Sequence, residues 1–457
     1  MCSSQWAALV PVAAAVWLWC QWLWRLRLIQ VNKRPLNAAK RRVLLVSPPE
    51  SYRIQPYVRA AISLGIDVNL ASQGEWAISS PHSAGIDVPL QDHRTALTTL
   101  VGLFKQRQYD AVIGTDDSTL ELAAKLAKKI GLQQNPPTAV RLARRKDLSR
   151  QCLHQAGIQV PAFSVVEVSE HQLPDKPHFG FPCVIKPLAL SGSRGVIRAN
   201  SYEGLNQGIQ RSLKIISEQT DLYEKTHLLL EQFIPGREFA IEGILSDGQL
   251  DVLAVFDKPD PMEGPYFEET YYISPARVTL NEKQILVETA QNACRAFGLV
   301  TGPVHAECRL NKQGAWLIEL AARTIGGLCS RLLSFGTGYS LEQLVLANAI
   351  GLELPLELND GAAGVLMLPT EEAGILRRVE GVMKAEKVPY IDDIEISLRE
   401  GYHVFPLPEG MSYLGFIFST APDSDKVEQA LRDAHALLNP VIAPFWPVSV
   451  GKKGASA

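Results

Sequence analysis

Glu307 and Glu319 stand on two apolar-rich segments, His305 to Leu310 and Trp316 to Ala321, joined by Asn311-Lys312-Gln313-Gly314-Ala315. The segments read as strands and the joint as a hairpin. If the hairpin is symmetric about Gln313, Glu307 pairs with Glu319, and the two-residue period of a strand keeps both on one face. Like charges set opposite each other destabilise a sheet by roughly 0.2–1 kcal/mol when solvated, and by more when desolvated. A cation is therefore expected between them. Two hard carboxylate oxygens suit Mg²⁺, which keeps its other positions for water and phosphate. Arg323 follows two residues past Ala321 and shares the face if the strand continues, where a guanidinium offsets charge on a transferring phosphoryl group or an acyl oxyanion. A solvated surface hairpin is the bland alternative; the apolar neighbours Ala306, Cys308, Ile318 and Leu320 weigh against it.

Two further stretches carry chemistry. In FPCVIKPLALSGSRGV, Phe181 to Val196, a strand bearing Lys186 runs into Ser191-Gly192-Ser193-Arg194-Gly195. Small residues let backbone N–H groups approach an anion, and Lys186 adds a full charge beside them. A plain hairpin connection reads the same way, and Gly-Lys-Ser/Thr is absent, so this is no Walker motif. In HLLLEQFIPGREFAIEG, His227 to Gly243, Glu231 ends one apolar strand and Glu238 begins another after Pro235-Gly236. A carboxylate at the end of a buried strand needs a donor. An adenine amino group, ribose hydroxyls or a nearby arginine would each serve. Glu263, Glu268 and Glu269 form an acid-rich stretch that either receives a substrate ammonium or stays a solvated loop. His305 is either a packed strand residue or a base.

The elements that must position these groups follow the pattern of an α/β (α+β) chain. Val43 to Ser47 reads as a strand, a helix runs to Leu64 with Gly65 as its stop, and Val68 to Ala71 is a second strand. Tyr109 to Gly114 is a third, followed by a helix to Ile130 with Gly131 at its C-terminus. Asn135-Pro136-Pro137 marks a domain boundary. A helix to His154 leads into a strand-rich region reaching Gly338, and residues 352–361 read as loop. Val365 to Thr370, Val404 to Pro408 and Tyr413 to Thr420 read as strands, before a closing helix with apolar residues from Val427 to Leu438 at helical spacing.

Charge and composition exclude other classes. From Val43 onward 38 Lys and Arg face 48 Asp and Glu, which argues against nucleic acid as a partner. Seven scattered cysteines with no C-x-x-C pair indicate a reduced compartment without structural disulfide or zinc. Five of the eight tryptophans fall in the first 24 residues, and Trp6 to Trp24 is long enough, at about 28 Å of helix, to cross a bilayer core. Arg25 and Arg27 follow the apolar run, which is unlike a secretory signal and leaves the rest of the chain in the cytoplasm. Residues 1–30 thus read as a membrane anchor attached through residues 6–24, with an over-extended reading frame or a helix docked on the protein as the alternatives.

In this order the pieces resemble the ATP-grasp superfamily, from about Val43 to Ile442. The resemblance implies a Rossmann-like pre-ATP-grasp domain over 43–137, an ATP-grasp domain over 138–350 and a small C-terminal α+β domain over 360–445. Lys146, in ARRKDLSRQCLHQAGIQVP, matches the first ATP lysine and Lys186 the second; Ser191, Gly192, Ser193 and Gly195 fall in the phosphate loop. Glu231 would accept from the adenine amino group, Gln232 to Ile234 would form the hinge backbone, and Glu238 would hold the ribose. Glu307 and Glu319 match the metal carboxylates, and Arg323 the catalytic arginine. The usual E-x-N-x-R reads Glu319-Leu320-Ala321-Ala322-Arg323, so the metal-binding asparagine is missing. GPVHAE, FDKPDPMEGPYFEETYYISPA, RTIGG and the tail GYHVFPLPEGMSYLGFIFS resemble the L-amino-acid ligase branch of carboxylate–amine ligases. That likeness implies ATP and Mg²⁺ (or Mn²⁺) as cofactors, and small-molecule carboxylate and amine substrates of the amino-acid class, joined through an acyl phosphate. Glu268, Glu269 and His305 are then candidate substrate contacts. The rival expectation is an ATP-binding regulatory or scaffold protein without ligase turnover.

Overall fold

Four parallel strands, β1 (Arg42–Val46), β2 (Asp67–Ser72), β3 (Ser83–Asp87) and β4 (Ala111–Gly114), form the opening sheet in the order β3-β2-β1-β4. The chain moves one way from β1 to β3 and then jumps back across β1 to β4, so the order reverses between β1 and β4. In such sheets the crevice at the strands' carboxyl ends is the natural binding edge. Here that edge carries Ser47, Thr115, Asp116 and Asp117. The computed structural model describes residues 41–74, 83–169, 174–356, 359–410 and 412–445. The anchor expected within 1–30 lies outside them, and no helix among the described residues is long and apolar enough to cross a membrane.

A second sheet, order β5-β8-β6-β7, is antiparallel and comprises β5 (Phe163–Glu167), β6 (Cys183–Pro187), β7 (Ile197–Ala199) and β8 (His227–Gln232). Helix Tyr202–Ile216 covers one face with Leu205, Ile209 and Ile216. The largest sheet has eight strands in the order β13-β12-β9-β10-β11-β14-β18-β16. Its members are β9 (Arg237–Ser246), β10 (Gln249–Lys258), β11 (Tyr271–Ser274), β12 (Gly302–Asn311), β13 (Gly314–Ala321), β14 (Ala362–Leu368), β16 (Ile391–Ile396) and β18 (Gly415–Ala421). It therefore runs unbroken across the boundary expected at 350–360, because β11 pairs with β14. A small sheet of β15 (Gly374–Glu380), β17 (His403–Val404) and β19 (Asn439–Ala443) closes the C-terminal end.

Several expectations shift. The region to Gly338 is not only strands: helices Tyr202–Ile216 and Leu280–Phe297 interrupt it. The strand expected at Val404 to Pro408 stops after Val404, since Pro406 and Pro408 have no N–H to give a ladder. The closing helix ends at His435, and Leu438 leads instead into β19.

The hairpin of β12 and β13 shows how the two glutamates meet. Asn311 pairs with Gly314, so the turn is Lys312-Gln313 and its centre is not Gln313. That register alone would set Glu307 opposite Ile318. A bulge at Ile318 shifts it, with Cys308 opposite Leu317 but Glu307 opposite Glu319. The expected pair forms, through an extra residue of the kind that re-aims side chains beside active sites.

Candidate active site

A cleft of about 650 Å³, counting its open mouth, separates the β5–β8 sheet from the hairpin face of the large sheet. That volume lies in the range of small-molecule sites. Lys146 opens helix Lys146–Gln155, and its Nζ donates to the Leu190 carbonyl at 2.6 Å while standing 3.6 Å from Glu319. Lys186, on β6, reaches Glu231 on neighbouring β8 at 2.7 Å, and Arg150 Nε takes the other carboxylate oxygen at 2.6 Å. Burial works against the charge of Glu231, but the two cations outweigh it and hold its pKa below the usual carboxylate range. A nearby arginine, one of the expected donors, is present, and Lys186 is a second: Glu231 lines the cleft with an ion pair at each oxygen.

Ser191 to Gly195 closes one rim of the cleft. Gly195 has φ +74°, and a Cβ there would meet Pro187 Cγ at 2.7 Å, so only glycine lets the loop fold back on β6. The C-terminal domain also grips the loop: Gly195 N–H donates to the Pro408 carbonyl at 2.9 Å, and Arg194 Nε to that of Glu409 at 3.2 Å. The Glu409 carboxylate takes Arg211 in two bonds, at 2.5 and 2.7 Å. These side chains are near 40% exposed, so the pair is worth under about 1 kcal/mol. Glu409→Ala is accordingly expected to raise KM for ATP by about two- to five-fold with little change in kcat, and an unchanged KM would show that the tie does not hold the loop for nucleotide.

The inner half of the cleft is apolar. Phe233 and Phe267 stack with centroids 6.3 Å apart beside Val184, Val196 and Met262, a slot suited to a flat base. Gln232 N–H donates to the Ala162 carbonyl and Phe233 N–H to that of Pro182, while the Ile234 carbonyl accepts from Arg309. The hinge is thus pinned on both sides. Glu238, expected on the ribose, lines the cleft with its oxygens taken by Lys258 and Arg309, at 2.9 and 2.8 Å.

Lys258 is the residue sequence reasoning missed. Its buried Nζ donates to Glu238 at 2.9 Å, Glu269 at 2.8 Å and Glu307 at 2.9 Å. The signal was present in FDKPDP, where a lysine ends a strand as apolar as Val252 to Phe256. One ammonium cannot neutralise three carboxylates. Burial pushes Glu269 up to about 7, with Glu307 adding to the shift against Lys258. Glu307 goes the other way, held well below the usual range by Lys258 and His305 in spite of burial. Each hairpin glutamate meets its own lysine, Lys258 at Glu307 and Lys146 at Glu319. A divalent ion still fits this face. Glu238, Glu269 and Glu307 bring oxygens within 4.8 Å of one another, and Glu319, 29% exposed, is the most open of the four. All the donors are hard oxygens, as Mg²⁺ requires. Ala321, buried, adds no donor where asparagine was expected.

Three expected site residues lie elsewhere. His305 is not on the cleft wall; it is wedged between Glu242 (Nδ1 to Oε2, 3.0 Å) and Glu307 (Nε2 to Oε1, 3.4 Å). Burial opposes its charge, yet the two carboxylates raise its pKa to about 9, so it buttresses Glu307 as a cation. Glu242, buried on the same face of β9 as Glu238, also accepts from Ile325 N–H at 3.1 Å and was not singled out from sequence. Arg323 does not continue β13, which ends at Ala321. It turns to the opening domain, where its Nε donates to Asp117 at 2.8 Å. Glu268 is half-buried beside Thr370 and Glu371, and burial raises its pKa.

An ATP-grasp domain model matches residues 179–331, and an L-amino acid ligase C-terminal domain model matches residues 366–443. Alanine–anticapsin ligase of Bacillus subtilis is 27% identical over 276 residues, 57% of each chain. Carnosine synthase 1 of Homo sapiens is 28% identical over 261 residues, 52% of this chain and 31% of its own length. The chain thus spans about half or less of these curated relatives. The crystal structure of an L-amino acid ligase from Bacillus licheniformis superposes with TM-score 0.77 at 26% identity, covering 89% of this chain and 100% of that one. Most of the cleft and the carboxylate hairpin lie among these matches, and together they lead to one assignment: the chain carries an ATP-grasp domain followed by an L-amino acid ligase C-terminal domain.

Proposed function

We propose that the chain joins the carboxylate of one amino acid to the amine of another small molecule, releasing ADP and phosphate. The observation that carries this reading is a single cleft lined by Lys146, Lys186, the Ser191–Gly195 loop, Glu307 and Glu319. When bound, Mg²⁺-ATP supplies the phosphoryl group that turns a carboxylate into an acyl phosphate. The chain's own residues bind and orient. The two lysines and the loop amides offset phosphate charge, and the Phe233–Phe267 slot takes the base. Glu307 and Glu319 would hold the metal. Glu269, on the cleft wall, is the candidate acceptor for a substrate ammonium. Arg323 is assigned to the acyl end, where a fixed guanidinium stabilises the oxyanion formed when the amine attacks. A scaffold without turnover would have no need of the carboxylate pair that the Ile318 bulge brings into register.

Phosphate release from ATP, screened against pools of amino acids with mass analysis of the products, tests the activity. The expected result is amine-dependent release with an amide of matching mass; ATP consumption that never depends on an amine would overturn it. Lys186→Ala is expected to weaken ATP binding roughly 10–100-fold, the worth of a charge-assisted hydrogen bond. Lys176→Ala, on an exposed residue over the Tyr202 ring, should leave affinity unchanged. Equal affinity for the parent and Lys186→Ala by calorimetry would remove the phosphate-cradle role.

A further inference from the structure

The loop that follows β13, Arg323 to Gly327, takes its shape from residues of the opening domain. Arg53, buried, donates from one amino group to the Thr324 hydroxyl, to the Thr324 carbonyl at 3.1 Å and to the Ile325 carbonyl at 2.9 Å. The Tyr52 hydroxyl accepts from Gly327 N–H at 2.9 Å. Asp117 accepts from Arg323 Nε at 2.8 Å, across 206 residues of sequence. Asp117 is the first residue of helix Asp117–Ile130, where the helix dipole favours a carboxylate, and it sits at the β1/β4 crevice. Arg323 NH1 donates to the Thr324 carbonyl at 3.1 Å, so neither of these bonds uses NH2.

We propose that Asp117 is a positioning residue for the ligase reaction: it holds the Arg323 guanidinium away from Glu319 and toward the acyl substrate. This rests on the role given to Arg323 above. Arg323 is 9% exposed and needs a carboxylate partner, and two compete for it. Glu319 also acts on its charge, but Asp117 is the one that receives its hydrogen bond. Burial opposes the ionised form of Asp117, yet Arg323, with Arg53 and Lys146, lowers its pKa, so the pair is ionic. Once Asp117 is neutralised, Glu319 is the carboxylate that still acts on the Arg323 charge. A guanidinium that moved there would leave the acyl site and compete with Mg²⁺ for a carboxylate. The opening domain is therefore part of the catalytic apparatus, through one ion pair.

The test is a double-mutant cycle on the full chain, comparing D117N, R323A and the double variant. D117N is expected to lower kcat about 10–100-fold, leave KM for ATP within about three-fold and raise the Mg²⁺ concentration needed for half-maximal rate. In the R323A background D117N should add nothing, because Asp117 acts only through Arg323. Asp117→Glu keeps the charge and moves it by one methylene; it should melt with the parent and lose several-fold in kcat, which preserves the test if D117N does not fold. Parental kcat in both Asp117 variants, or equal losses from D117N with and without Arg323, would overturn the positioning role. Parental kcat in R323A would instead overturn the role given to Arg323 itself.

Discussion

Glu319→Gln is expected to cut amine-dependent turnover by roughly a hundredfold or more while leaving the metal-free protein's melting temperature within about 2 °C of the parent. The two effects separate because Glu319 has little to lose in the absence of metal. Its nearest cation is Lys146 at 3.6 Å, and its side chain is 29% exposed, so the pair contributes at most about 1 kcal/mol. Glutamine keeps the shape and one acceptor but loses the charge that a divalent ion needs. The rise in melting temperature on adding Mg²⁺ and ADP should shrink with it. Glu307→Gln should be as inactive but less stable, because Glu307 pairs with buried Lys258 at 2.9 Å and His305 at 3.4 Å. If Glu319→Gln keeps near-parental turnover and the full metal-induced rise, the hairpin carboxylates do not hold the metal.

Glu307 and Glu319 are thus not bare opposed charges, since Lys258 and Lys146 each pair with one of them. The pairing of Glu307 with Glu319 was legible because strand periodicity and apolar neighbours are local properties. The bulge that produces it was not, since Ile318 looks like any other strand residue. Lys186 and the Ser191–Gly195 turn were legible for the same local reason, whereas Lys146 was singled out only by the family resemblance. What stayed hidden is long-range compensation. Nothing near Glu231 in sequence announces Arg150, and nothing near Arg323 announces Asp117. A buried charge needs a counter-charge, but local pattern does not say which of many supplies it. The β-α-β opening could be read from alternating strands and stops, while the unbroken sheet from β9 to β18 could not, because helix Leu280–Phe297 and the β12–β13 hairpin separate β11 from β14 in sequence. His305 illustrates the limit well. Its strand and burial follow from sequence, but its role depends on Glu242, which lies across a register that only the fold fixes.

Lys258→Met is expected to destabilise the protein by about 3–5 kcal/mol, the usual cost of removing one partner from a buried ion cluster. The ammonium is only 3% exposed and is the shared donor of Glu238, Glu269 and Glu307. Methionine fills most of the space and leaves the three carboxylates facing one another, with Arg309 and His305 left to compensate their edges. Two consequences distinguish this from a simple packing defect. First, adding Glu269→Gln to Lys258→Met should recover more than about 1 kcal/mol, since the second change removes repulsion that the first created. In the parent, Glu269→Gln should recover nothing, because there it removes a partner. Second, Mg²⁺ should raise the melting temperature of Lys258→Met more than that of the parent, because the metal then meets carboxylates no longer claimed by an ammonium. Denaturant midpoints for the four proteins, with and without Mg²⁺, give both quantities. A parental midpoint for Lys258→Met, or additive effects of the two substitutions, would mean that the lysine does not hold the carboxylate cluster together.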